Sequence, residues 1–242
     1  GPVPVEVDTV RRNRPESATG KFTLVDKIGS GGVGDVWKAW DHPLHRWVAL
    51  KFLKNEEEID VQRFEREART VGQLTHPHIA PVFEVGKLEG HSYIAMQFIE
   101  GTTLQEFIGG EERLVAALIR DTALALQYAH EKGIVHRDIK PANIMVEELG
   151  SLSGSDTPSR LNSIGFHVYV MDFGLAKQVE IDSSLTRVNS VLGTPAYMSP
   201  EQVEGKNDTL DHRTDVYSLG VTLYELFTGR PPFRASSTYD LF

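Results

Sequence analysis

The 242-residue sequence predicts an α+β fold in two lobes, a β-rich first part carrying one helix and a mainly helical second part. Three observations predict it. Runs of alternating apolar residues, each of strand length, recur up to about residue 98. Beyond that point two long segments with apolar residues at helical spacing take over, 111–131 and 215–227. Finally, Gly29, Gly31 and Gly34 lie between two strand-like runs, not between a strand and a helix.

Taken in order, residues up to about Gly20 are polar, with Pro2, Pro4, Pro15 and the basic run Arg11–Arg14, and read as a flexible leader. Gly1-Pro2 resembles a protease-cleavage scar. Lys21–Ile28 and Asp35–Trp40 flank the glycines as a hairpin, and Trp47–Leu53 is a third strand in which Val48, Leu50 and Phe52 alternate with Ala49, Lys51 and Leu53. Asp60–Leu74 places Phe64, Ala68 and Val71 on one helical stripe, with Glu67 beside it and able to face inward. Ala80–Gly86 and His91–Phe98 read as two more strands.

Glu111–Glu131 is apolar on most sides (Leu114, Leu118, Leu124, Ala125, Tyr128), as a buried helix is. Asp215–Phe227 repeats the pattern with Val216, Leu219, Leu223 and Leu226. Short strands are expected near 144–146 and 168–171. Leu149–Gly165, rich in Ser and Gly, reads as an exposed insertion between them. The expected divisions are a leader 1–20, a small lobe 21–97 and a large lobe 98–242, joined near Gln97–Gly101.

Bulk properties exclude several functions. The formal net charge is −9, so no broad basic footprint for nucleic acid exists. The chain has no cysteine, which removes disulfides, thiolate catalysis and zinc–sulfur sites. No apolar run approaches the roughly 20 residues of a membrane helix, and the N-terminus lacks a signal-peptide pattern.

Three stretches carry chemistry. Glycines at 29, 31 and 34 let the backbone approach phosphate oxygens and offer N–H groups. Alone, this spacing is shared with dinucleotide-binding folds, but those run from a strand into a helix, whereas Asp35–Trp40 is strand-like. Lys51 sits inside an apolar strand and faces either solvent or the interior; an inward ammonium needs a counter-charge, which Glu67 can supply.

The second stretch is His136-Arg137-Asp138-Ile139-Lys140-Pro141-Ala142-Asn143. Asp138 can accept or orient the proton of an attacking hydroxyl. Lys140 can neutralise a transferring phosphoryl group, and Asn143 offers a carbonyl oxygen, a hard ligand for Mg²⁺. The third stretch is Asp172-Phe173-Gly174, a carboxylate at a strand end beside a glycine, placed to hold metal. Together the three form a site for phosphoryl transfer.

With these motifs in this order, the sequence resembles the eukaryotic-type (Hanks-type) serine/threonine protein kinases, and most closely their bacterial branch. The likeness runs from about Phe22 to the C-terminus. It is carried in particular by His136–Asn143, by Leu192-Gly193-Thr194-Pro195-Ala196-Tyr197-Met198-Ser199-Pro200-Glu201 and by Asp215-Val216-Tyr217-Ser218-Leu219-Gly220.

The resemblance implies a bilobal kinase-like fold that transfers phosphoryl groups from ATP with Mg²⁺, or Mn²⁺ in its place, to Ser/Thr hydroxyls of proteins. Ile28 and Gly29–Gly34 would cover ATP, with Val36 and Ala49 above adenine and Met145 below it. Met96 would be the gatekeeper, and Gln97, Phe98 and Ile99 the hinge. Lys51 and Glu67 would form the small-lobe ion pair. Asp138 would be the catalytic base, and Asn143 and Asp172 the metal ligands. Lys140 and Thr194 favour Ser/Thr over Tyr, and Asp215 would brace the catalytic loop. The activation segment, 172–201, offers Thr186 and then Ser190 for phosphorylation, with Arg137 to pair the phosphate.

The likeness stops at Phe242, short of helices that family members carry after the Gly229–Phe233 loop; the usual arginine partner of Glu201 is expected in that later part, Arg230 and Arg234 being too near the loop to replace it. Exposed apolar surface and self-association of the large lobe are therefore expected. Cytoplasmic placement is expected, alone or as part of a membrane-anchored protein. A small-molecule kinase of related shape is disfavoured because Thr194–Glu201 resembles a peptide-binding platform, and two rivals of other classes stand beside the kinase reading. One is a nucleotide-binding pseudokinase or scaffold. The other is a dinucleotide-binding oxidoreductase, which needs a helix after Gly34 and an acidic ribose ligand that are not evident.

Overall fold

Strand alternation in the first 98 residues closes a six-stranded antiparallel sheet, ordered β1-β2-β3-β4-β6-β5. Its strands are β1 (Ala18–Thr19), β2 (Phe22–Ser30), β3 (Gly34–Asp41), β4 (Arg46–Leu53), β5 (Val82–Leu88) and β6 (His91–Gln97). The computed structural model describes residues 2–31, 34–149, 165–173, 195–205 and 210–234. The chain forms two compact units, Gly1–Thr75 with Pro81–Phe98, and His76–Ala80 with Ile99–Phe242.

In the first unit, one face of the sheet carries the buried cluster Phe22, Ala39, Val48, Leu50, Tyr93 and Ala95. Cross-strand partners share a face, and faces alternate along a strand. The pairs Val36↔Lys51, Lys38↔Ala49 and Trp40↔Trp47 therefore lie on the opposite face, joined there by Met96 opposite Ala49. The helix α2 (Glu58–Val71) buries Phe64 and Ala68 on its apolar stripe.

The leader is not flexible. Val5–Asn13 is a helix, α1, and it buries Val7 and Val10 against Val25 and Trp40, with Val3 and Trp47 at the margin. Arg14 Nη2 donates to the Val25 carbonyl at 3.1 Å. Prolines and charges dominated the linear reading, but Val7 and Val10 fall on one helical stripe with Val3 packed beside it, and burying them offsets the cost of ordering the segment. Pro4 sits just before the first turn, where a missing N–H costs nothing.

In the second unit, β7 (Thr102–Thr103), β8 (Ile144–Glu148) and β9 (Phe166–Val170) form a three-stranded antiparallel sheet. The long helices α3 (Glu112–Glu131) and α4 (Arg213–Thr228) supply Val115, Leu118, Ile119 and Leu226 to a core shared with Leu104, Ile144, Val146 and Val168. Residues 76–80, expected in the small lobe, belong to this unit. Ile79 bridges Val170 in parallel, Ala80 N–H donates to the Val170 carbonyl at 3.0 Å, and Val170 N–H to the His78 carbonyl at 2.9 Å. Backbone bonding to β9, invisible in linear spacing, outweighs position in the chain. Most of the expected insertion, 150–164, lies outside the described residues; its ends meet where Leu149 N–H donates to the Gly165 carbonyl at 2.8 Å.

Candidate active site

The loop between α3 and β8 is held by one buried carboxylate. Asp215, in the first turn of α4, is fully buried. Its Oδ2 accepts the backbone N–H of His136 at 2.8 Å, and its Oδ1 accepts that of Arg137 at 2.7 Å. His130 Nε2, from the last turn of α3, lies 2.7 Å from Oδ2. Burial pushes the Asp215 carboxyl up, but the His130 bond and the two backbone N–H donors outweigh it and hold it below its ordinary range.

Arg137 has φ 67°, a left-handed conformation that costs a non-glycine residue about 1–3 kcal/mol. It persists because both sides of the residue are fixed: its N–H by Asp215, its carbonyl by Gln202 Nε2 at 2.9 Å. His136 is fully buried; its Nδ1 accepts the Asp138 N–H at 3.2 Å and its Nε2 donates to the Met171 carbonyl at 2.8 Å. That pattern requires a neutral ring protonated at Nε2. Desolvation lowers its pKa accordingly, against the pull of Asp215, the Met171 carbonyl, Asp138 and Asp172.

The reactive side chains converge on this frame. Asp138 Oδ2 lies 2.9 Å from Lys140 Nζ and 2.8 Å from Asn143 Nδ2. Asn143 Nδ2 also donates to the Asp138 carbonyl at 2.7 Å. With its nitrogen used on that side, the amide turns Oδ1 the other way, and this oxygen is the one able to ligate a hard cation. Met171 N–H donates to the Asn143 carbonyl at 2.9 Å, so Asn143 and Asp172 lie on hydrogen-bonded segments. Asp172 has φ 58°. One carboxylate and one amide oxygen on adjoining segments fit Mg²⁺, which keeps several waters and takes few protein ligands. In the same unit Ile99 is buried, and Met145 on β8 is half-buried opposite Thr103 and Tyr169.

The first unit holds the other predicted residues. Lys51 is 6% exposed, an inward lysine and not a solvent-facing one. Ala49 and Met96 are buried, and Val36, Gln97 and Gly29 half-buried. Ile28 is exposed, and so is Gly31. A Cβ at Gly34 would come 1.9 Å from the Phe52 carbonyl oxygen, whereas one at Gly31 would meet nothing within 4 Å. Gly34 is therefore demanded by strand packing. Glu67 lies within α2, but its side chain is outside what the structure describes, as are Gly32, Val33, Gly174, Thr186, Ser190 and Thr194. Sequence reasoning passed over His130 and Gln202; each acts on the loop from a distant element, and no short motif marks them.

A family model described as protein kinase domain matches residues 22–241. The chain belongs to the protein kinase domain family. Serine/threonine-protein kinase PknB of Mycobacterium leprae is 37% identical over 234 residues, covering 92% of this chain and 35% of the relative. PknB of Mycolicibacterium smegmatis is 38% identical over 235 residues, with the same coverage of each. The chain thus spans about a third of the length of these relatives. Among solved structures, the kinase domain of Mycobacterium tuberculosis PknI aligns with a TM-score of 0.66 at 26% identity, over 93% of this chain and 83% of that one. Among the described residues no helix is long and apolar enough to cross a membrane.

Proposed function

We propose that this kinase domain transfers the γ-phosphoryl group of ATP to Ser/Thr hydroxyls of proteins, in the cytoplasm, alone or as part of a longer membrane-anchored protein. One observation carries the reading: Asp138 is gripped by Lys140 and Asn143 on a loop whose backbone is locked by buried Asp215. The names of the PknB relatives support the choice of Ser/Thr acceptors.

Asp138 orients the acceptor hydroxyl and takes its proton as the oxygen attacks phosphorus. Lys140, 2.9 Å from that carboxylate, neutralises charge on the phosphoryl oxygens during transfer. Asn143 and Asp172 hold Mg²⁺, which when bound offsets phosphate charge. Lys51, with Glu67 as its partner, binds the α- and β-phosphates. The backbone at Gly29 and Gly31 covers them. Val36, Ala49, Met96 and Met145 enclose adenine, and Gln97 and Ile99 bond its edge through the backbone. Phosphorylation at Thr186 or Ser190 regulates the domain by pairing with Arg137.

The test is incubation with labelled ATP, Mg²⁺ and a basic acceptor protein, beside an Asp138→Asn variant. The parent transfers label, and the variant loses activity by about 10³-fold. Nucleotide binding without transfer by either protein would overturn the reading in favour of a scaffold. Mass-spectrometric mapping of the same incubation locates phosphate on Thr186 or Ser190; label confined to residues 1–20 or 149–165 refutes the regulatory part.

A further inference from the structure

The family match begins at residue 22, yet α1 precedes it and is built into the first unit. The sheet register shows which face it joins. Val36, Lys38 and Trp40 share a face with Lys51, Ala49 and Trp47, the face that holds the proposed nucleotide residues. By packing Val7 and Val10 on Trp40 and Val25, α1 continues that same face toward the strand ends that adjoin Gln97 and Phe98.

Lys38 links the two. Its ammonium lies 3.2 and 3.3 Å from the two carboxylate oxygens of Glu6 on α1. It also lies 4.2 Å from the centroid of the Trp47 ring and 5.4 Å from that of Phe98. Over an aromatic face an ammonium gains electrostatically, but a four-carbon stem has many rotamers to lose. A carboxylate gripping it with both oxygens selects the rotamer that reaches the two rings.

We infer that Glu6, outside the segment that the family model matches, is a positioning residue for nucleotide binding: it holds Lys38 against Phe98 and so fixes the segment that bonds adenine. This rests on the kinase reading. Glu6 touches no nucleotide and acts through Lys38.

The experiment compares the parent with Glu6→Gln, Lys38→Met and the double variant. Binding of a fluorescent ATP analogue with Mg²⁺ gives Kd, transfer to the basic acceptor gives KM for ATP and kcat, and melting gives Tm. Each single change raises Kd and KM about threefold, the size expected of a half-exposed ion pair. kcat and Tm stay near parental values, and the double variant is no worse than the worse single one, because both remove one linkage. If the parent transfers label and Glu6→Gln changes only Tm, or nothing, the inference is wrong while the kinase reading stands. If the parent binds but does not transfer, the kinase reading falls, and the Kd series alone decides the inference. A parent that does neither sinks both.

Discussion

At the scale of the residue, Asp215 holds the loop that carries Asp138 without standing among the groups that would touch substrate. Its carboxylate satisfies two main-chain donors and holds Arg137 in a left-handed conformation it would not otherwise keep. Removing it leaves those two donors without their acceptor, at about 1–3 kcal/mol each where they are buried. Asp215→Ala is expected to lose about 3 kcal/mol in denaturant unfolding and to abolish transfer, because Asp138 directly follows the loosened residues. Unfolding at the parental midpoint would contradict this.

At the scale of the element, the glycine-rich hairpin divides its labour. Gly34 sits where β3 and β4 approach too closely for any Cβ, and Gly31 sits in open space. Gly34→Ala must push the strands apart, at about 3 kcal/mol. For a chain of this size that lowers Tm by roughly 6–12 °C. Gly31→Ala is expected to change stability by less than about 0.5 kcal/mol, so any loss of nucleotide affinity there reports the loop itself. Equal melting temperatures for the two variants would refute the division.

At the scale of the whole molecule, buried and half-buried histidines make stability depend on pH just below neutrality. Burial lowers the pKa of His136, and desolvation also lowers His76, His78 and His42, from an ordinary value of 6.5. The unfolded chain therefore takes up these protons at a higher pH than the folded one. The stability these rings contribute is full above about pH 6.5 and falls as pH drops toward the folded pKa values. His136 has most at stake, since a proton on Nδ1 would also break its bond from the Asp138 N–H. Calorimetry from pH 8 to 5 should show Tm level at first and then declining. A Tm that rises on acidification would show these rings to be charged in the fold.

Short-range chemistry was written in the linear order. Asp138, Lys140 and Asn143 lie within six residues, so they were legible as candidates together, and it was the order of all three motifs that pointed to phosphoryl transfer. The strand and helix periods likewise announced both units. The pairing of Asp215 with His136 and Arg137 spans nearly 80 residues and came only through resemblance; the parts of His130 and Gln202 came from the structure alone. Packing also ordered the leader helix Val5–Asn13 and moved His76–Ala80 to the second unit. Local spacing fixes what neighbours in the chain can do, whereas burial decides which distant surfaces must meet, and only the folded chain states those partners.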